Sequence, residues 1–200
     1  LADVSKPRPG PGEVLVRLAY AGVNYIDVYM RDGSYARSHT YQTPLPMTIG
    51  MEGAGRIEEV GEGVSGLSVG DTVAYCLSRG SYAEFAVVPA WKVVRVPAGI
   101  DLAVATTLML QGSTAHYLSR SAFPLKRGDT CLVHAGAGGV GQLLVQLAKR
   151  VGATVIATVG SEDKARLARE RGADHTILYR QADFGAEVRR LTDGRGVDVV

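Results

Sequence analysis

The hydrophobic pattern changes character halfway along the chain. Up to about Pro97, apolar residues come in short β-branched or alternating runs at 14–19, 55–60, 72–76, 82–88 and 92–96. Turn-forming sequences separate them, among them Pro9-Gly10-Pro11-Gly12, Gly61-Glu62-Gly63 and Val69-Gly70-Asp71. Period-two runs bounded by glycine and proline predict an antiparallel, barrel-like β domain. From residue 102 to 121 apolar residues recur at helical spacing. From Thr130 onward strand and helix patterns alternate: strands at 131–135, 154–159 and 175–179, helices at 140–150, 163–171 and 184–192, and a further strand from Val197. Such alternation implies right-handed parallel crossovers and hence about half of a doubly wound sheet. The pattern places the domain boundary between Pro97 and Gly112.

Composition excludes several classes of function. The 200 residues carry a net charge of +2, too small and too scattered to argue for a nucleic-acid or acidic-membrane surface. The two cysteines, Cys76 and Cys131, show neither disulfide nor zinc-site spacing. No apolar run reaches the ~20 residues that span a bilayer, and the start lacks the shape of a signal peptide. A soluble protein of the cytoplasm is the resulting expectation. The chain opens without methionine and closes on a strand-like run, Val197 to Val200, which reads as a piece of something longer.

Candidate chemistry begins between the first strand and helix of the alternating half. Gly136-Ala137-Gly138-Gly139-Val140-Gly141 satisfies G-x-G-x-x-G in the strand-loop-helix context that gives the pattern its meaning. A tight turn with positive φ, a backbone approached by a diphosphate, and a helix packed close on its strand each call for glycine. The diphosphate of a dinucleotide would sit at the N-terminus of the following helix. The next strand ends Thr158-Val159-Gly160-Ser161, with no carboxylate at its tip to bond a ribose 2′-hydroxyl. Glu162 and Asp163 fall where a helix would start. Ser161 and Lys164 can reach a 2′-phosphate, which points to NADP(H), although Lys164 also fits an ordinary solvated helix position.

Four motifs in order carry a resemblance. They are Asn24-Tyr-Ile-Asp27-Val-Tyr29-Met-Arg31-Asp-Gly33-Ser-Tyr35, Gly50-Met51-Glu52-Gly53-Ala54-Gly55, Gln111-Gly112-Ser-Thr114-Ala-His-Tyr117, and the glycine loop. Through essentially its whole length the chain resembles the quinone oxidoreductase (zeta-crystallin-like), zinc-free branch of the medium-chain dehydrogenase/reductase superfamily. The resemblance implies an α/β protein with a GroES-like domain over residues 1–105, its N-terminus incomplete. A Rossmann domain, its C-terminal half missing, would occupy 106–200. Zinc enzymes of the superfamily place a cysteine ligand where this chain has Asn24 and a histidine ligand where it has Met51. A neutral amide and a thioether are poor partners for Zn²⁺, so no metal is expected.

Without a metal to stabilise an alkoxide, the expected chemistry is NADPH-dependent reduction of quinones, with an enone or 2-alkenal double-bond reductase as the alternative on the same scaffold. An alternative of another class is a non-enzymatic crystallin or an RNA-binding protein, which no basic or aromatic cluster supports. The resemblance places Asn24, Asp27, Tyr29, Arg31 and Tyr35 around the acceptor cleft. It places Asn24, Thr114, Tyr117, Gly138, Gly139, Val140, Gly141, Gly160, Ser161, Lys164 and Tyr179 at the cofactor. Asp27 could equally cap a helix over 26–30, and Tyr29 could be core. His116, His134 and His175 read as packed residues. Segment 36–43 is longer than the family's usual link and could narrow the cleft beside Tyr35. The partners implied are a small quinone or enone and a second copy of the chain in a homodimer.

Overall fold

A computed structural model of the chain describes residues 3–41 and 45–200, so the end of the long segment, at Gln42 and Thr43, lies outside the described residues. The chain divides into two compact units, Leu1–Leu110 and Gln111–Val200.

The first unit is a five-stranded antiparallel sheet in the order β4-β1-β2-β3-β5. Its strands are β1 (Glu13–Ala21), β2 (Glu52–Val60), β3 (Thr72–Cys76), β4 (Phe85–Pro89) and β5 (Val93–Arg95). The alternating runs bury one face: Val14, Val16, Ile57, Val73, Tyr75, Ala86 and Val88 form the core of the barrel-like sheet. The run expected at 82–88 starts three residues later; Ser81 before it is buried, and Tyr82 turns its hydroxyl to Asp27. A short helix, α1 (Tyr25–Arg31), follows β1. Helix α2 (Leu102–Tyr117) holds the division between the units, and its expected extension to 121 is a single π-helical stretch, Leu118–Ala122.

The second unit is a parallel sheet in the order β6-β7-β8, formed by β6 (Thr130–Val133), β7 (Thr154–Val159) and β8 (His175–Leu178). Helices α3 (Gly139–Val151), α4 (Glu162–Glu170) and α5 (Phe184–Leu191) alternate with the strands. The near-continuous apolar runs of β6 and β7 are buried, as strands covered on both faces require. The strand expected from Val197 is reduced to one parallel bridge, Cys131 with Val199. Beside it Asp198 N donates to Thr130 O at 2.8 Å, and the Asp198 carboxylate accepts from Thr130 N at 2.7 Å.

Candidate functional site

Parallel strands end on the same edge of their sheet, so the loops after β6, β7 and β8 gather where doubly wound folds bind ligands. The glycine loop leaves β6. A Cβ on Gly136 would stand 2.6 Å from the Cβ of Ala157, which is fully buried in β7. A Cβ on Gly141 would run into the Ala135 carbonyl and stand 2.9 Å from Gly136 Cα, so this glycine lets α3 lie on the loop. Gly138 differs. Its φ of −77° suits any residue, and a Cβ would find only Ala135 nearby, 3.1 Å from the carbonyl oxygen. Side-chain space at Gly138 is therefore open at the N-terminus of α3, whose first N–H groups have no partner within the helix. The positive φ expected of the loop falls on Ala135, at 51°, and on none of the glycines. Close approach, not left-handed backbone, is what these glycines supply. On Gly139 a Cβ would run into the side-chain amide of Gln111, a residue to which its motif alone assigns no role.

The tip of β7 carries the second group. Ser161 is the N-cap of α4, its Oγ accepting from Lys164 N at 3.4 Å. Glu162 and Asp163 occupy the first turn of that helix and pair with Arg169 and Arg166. The Lys164 ammonium enters no ion pair among the described residues and is exposed. Tyr179 follows β8, and its N–H donates to Val159 O at 3.2 Å. A Cβ on Gly160 would stand 2.9 Å from the Tyr179 hydroxyl. Gly160, Ser161, Lys164 and Tyr179 thus stand together. Thr114 and Tyr117 lie on the last turns of α2, Thr114 half-buried and Tyr117 exposed. His116, His134 and His175 are exposed rather than packed. His134 bonds Thr158 Oγ1 at 3.0 Å and stands edge-on to Phe184.

In the first unit, Asn24 is the N-cap of α1, in place of the helix start with an Asp27 cap that the sequence suggested. Asp27 sits at the third helical position and reaches back, its Oδ2 accepting from Asn24 N at 2.9 Å. That reciprocal arrangement satisfies an otherwise orphaned backbone donor. The same oxygen accepts from the Tyr82 hydroxyl at 2.9 Å, while Asp27 Oδ1 is buried without a partner among the described residues. Burial, with the Asp27 bond adding to it, pushes the Tyr82 hydroxyl up to about 12. Glu52, only 1% exposed, accepts from Asn24 Nδ2 at 2.7 Å and from Leu110 N at 2.6 Å. Burial raises its pKa above the usual carboxylate range, and those two donors counter the rise only in part.

Tyr29 is 40% exposed and so is not core. It belongs to a run of neighbouring rings, Tyr25 to Tyr29 to Tyr35 to Tyr41, with centroids 5.9, 5.6 and 5.2 Å apart. Tyr41 and His39, both from the long segment, line a cavity of about 760 Å³ that also meets Met30, Met51, Cys76 and Arg79. Of the long segment, His39, Thr40 and Tyr41 line this cavity, and Tyr35 does not. Arg31 is exposed and in no ion pair among the described residues. Among those residues no three His, Cys, Asp or Glu side chains gather as metal ligands. Glu52 and Tyr82, like Gln111, are residues to which the sequence assigns no role. Only the burial of an acid, visible once β2 is seen to be covered, marks Glu52.

Comparison with known proteins places this geometry. Residues 10–98 match the Alcohol dehydrogenase GroES-like domain, and residues 139–200 match the Zinc-binding dehydrogenase domain that accompanies it. The chain belongs to the medium-chain dehydrogenase/reductase superfamily. Within it the likeness is to quinone oxidoreductases. A quinone oxidoreductase of Pseudomonas aeruginosa is 44% identical over 199 residues, which are 99% of this chain and 60% of that protein. A 2-haloacrylate reductase of Burkholderia is 43% identical over 206 residues, 99% of this chain and 60% of that protein. The crystal structure of an Escherichia coli quinone oxidoreductase complexed with NADPH superposes with a TM-score of 0.94 at 36% identity, covering all of this chain and 60% of that one. The chain thus spans about 60% of the length of these relatives. The fold expected from the sequence, a GroES-like domain followed by part of a Rossmann domain, is the one observed.

Proposed function

We propose that this chain carries the cofactor-binding and acceptor-side residues of an NADPH-dependent quinone reductase that works without a metal. The observation that carries the reading is the open space at Gly138 beside the α3 N-terminus, joined on the same sheet edge by Gly160, Ser161, Lys164 and Tyr179. A diphosphate approaching the first N–H groups of α3 would meet Gly138, Gly139, Val140 and Gly141. A 2′-phosphate would find the Ser161 hydroxyl and the unpaired Lys164 at a strand tip that bears no acid. Thr114, Tyr117 and, from the first unit, Asn24 are assigned to the nicotinamide half. When bound, NADPH supplies a hydride from C4 of the nicotinamide.

On the acceptor side, Tyr29 and Tyr35 offer aromatic faces to a planar quinone, and Arg31 a charge for an oxygen that gains electron density. Asp27 is buried and, bonded to Asn24 N and the Tyr82 hydroxyl, holds the start of α1 in place. The test is the steady-state rate with NADPH and 1,4-benzoquinone against the rate with a small enone. Faster turnover of the quinone is expected. The similarity to a 2-haloacrylate reductase favours the second reading, reduction of an activated double bond, and faster turnover of the enone would establish it instead. The homodimer belongs to this proposal too, and light scattering at micromolar concentration would reveal a monomer if it is wrong.

A further inference from the structure

The cavity of about 760 Å³ lies wholly within the first unit, and none of Tyr29, Arg31 and Tyr35 lines it. Its volume falls in the ~300–1,000 Å³ range of small-molecule sites. Met30 and Met51, each 3% exposed, give it an apolar floor, and Trp91, 82% exposed, stands at its rim. Two cations on its wall, Arg79 and Lys92, outnumber the single acid, Glu13. One Glu13 oxygen already accepts from Gly10 N at 2.9 Å. Lys92 is committed as well, its ammonium donating to Leu77 O and standing 5.2 Å from the centre of the Trp91 ring. Arg79 is exposed and enters no hydrogen bond or ion pair among the described residues. The turn that carries Arg79 is held in place. Leu77 adopts a φ of 57°, an unfavourable angle for a residue with a side chain. Bonds on either side of Arg79 keep the turn, Leu77 N donating to Met51 O at 2.7 Å and Gly80 N to Gly50 O at 2.9 Å.

We propose that this cavity binds a small organic carboxylate with an apolar body, the body lying on Met30 and Met51 beside Trp91 and the carboxylate pairing with Arg79. Two cations and one acid leave a single positive charge in excess, which matches one negative charge. A guanidinium with all its N–H groups free offers the parallel pair of donors that a carboxylate accepts. The apolar floor supplies most of the contact and the ion pair supplies the selectivity for an anion. The proposal is independent of the reductase reading, because the site is complete in the first unit and binding to it is read with no cofactor present.

Trp91 is the only tryptophan among the 200 residues, so tryptophan emission reports from the rim of the cavity alone. Titration with octanoate is expected to shift that emission to shorter wavelength as water leaves the indole. Octanol, with the same body and no charge, should bind about tenfold more weakly. Arg79→Gln has no internal bond to lose and should melt as the parent does, while weakening octanoate about tenfold and leaving octanol unchanged. Labelling the methionine methyl groups with ¹³C locates the ligand: the Met30 and Met51 signals, assigned by Met→Leu substitution, should move with octanoate. The signal of Met109, which packs against a different core cluster, should not. Octanoate that leaves the Trp91 emission and both methionine signals in place, or that binds Arg79→Gln as tightly as the parent, would overturn the proposal. Movement of Met109 together with the other two would show unspecific partitioning and overturn it equally.

Discussion

Two glycines two residues apart in the same loop are expected to fail in different ways. In Gly136→Ala the new methyl would lie 2.6 Å from the Ala157 Cβ. Unstrained carbon pairs sit ~3.5–4.0 Å apart, so the loop and β7 must separate by about 1 Å. Ala157 is fully buried and cannot rotate away. Overpacking of this kind costs ~1–3 kcal/mol, or roughly 3–10 °C in Tm for a protein of this size. In Gly138→Ala the backbone angles are already allowed, and the nearest neighbour, Ala135 O at 3.1 Å, need give only a few tenths of an ångström. Its Tm should fall by no more than ~2 °C.

That methyl stands where a phosphate must approach the α3 N-terminus. Losing charge-assisted contacts worth ~1.5–3 kcal/mol should weaken NADPH about 10- to 100-fold. Thermal melting and fluorescence titration of NADPH on both variants provide the assay. Adding Ala157→Gly should recover part of the stability lost in Gly136→Ala, since the pair shares one clash. Gly138→Ala that binds NADPH within twofold of the parent, with an unaltered melt, would refute the cradle.

Lys164→Ala should weaken NADPH about tenfold and NADH little, as one exposed ion pair to a phosphate would; equal losses would refute the 2′-phosphate assignment. Asp174 accepts both from the Lys149 ammonium, at 2.8 Å to each oxygen, and from Val155 N at 2.7 Å, tying α3 to the starts of β7 and β8. Burial pushes its pKa up, but Lys149 and the Val155 N–H outweigh that and leave it below the usual value. Its stabilisation is therefore complete above the unfolded pKa of about 3.9 and is lost as pH falls through the lower folded value. Asp174→Asn should cost ~1 kcal/mol at pH 7, discounted because both partners are a third exposed, and the gap to the parent should narrow steadily as pH falls below about 4. A gap as wide in acid as at pH 7 would show that the charge contributes nothing.

Much of the fold is legible in the sequence because it rests on local rules. The glycine loop is a six-residue motif that reads locally at Gly138 and Gly141, though Gly136 is set by Ala157 and Gly139 by Gln111, and the runs that form β6 and β7 are apolar because both faces are covered. The positive φ expected of a loop glycine belongs to Ala135, since sequence records which residues tolerate that backbone and not which one adopts it. The Asn24 site is half legible. Its neighbours along α1 carry the motif, yet the residues that hold it come from 28 and 55 positions away, Glu52 behind Asn24 and Tyr82 behind Asp27. Such pairings follow from strand register, which periodicity cannot supply. Val197 to Val200 read as a strand, and the segment does pair with β6 through Asp198 N to Thr130 O and Leu132 N to Val199 O, but only as one bridge, with the Asp198 carboxylate taking the Thr130 N–H.

The narrow fit between Gly160 and the Tyr179 hydroxyl bears on how cofactor preference could change over time. An acid placed at the tip of β7 is the simplest route toward NADH, but any side chain at position 160 meets Tyr179 first. The two positions are therefore coupled: an acid at 160 requires the exposed Tyr179 side chain to swing aside or shrink. Paired libraries at 160 and 179 cover both routes by which a switch toward NADH would be found.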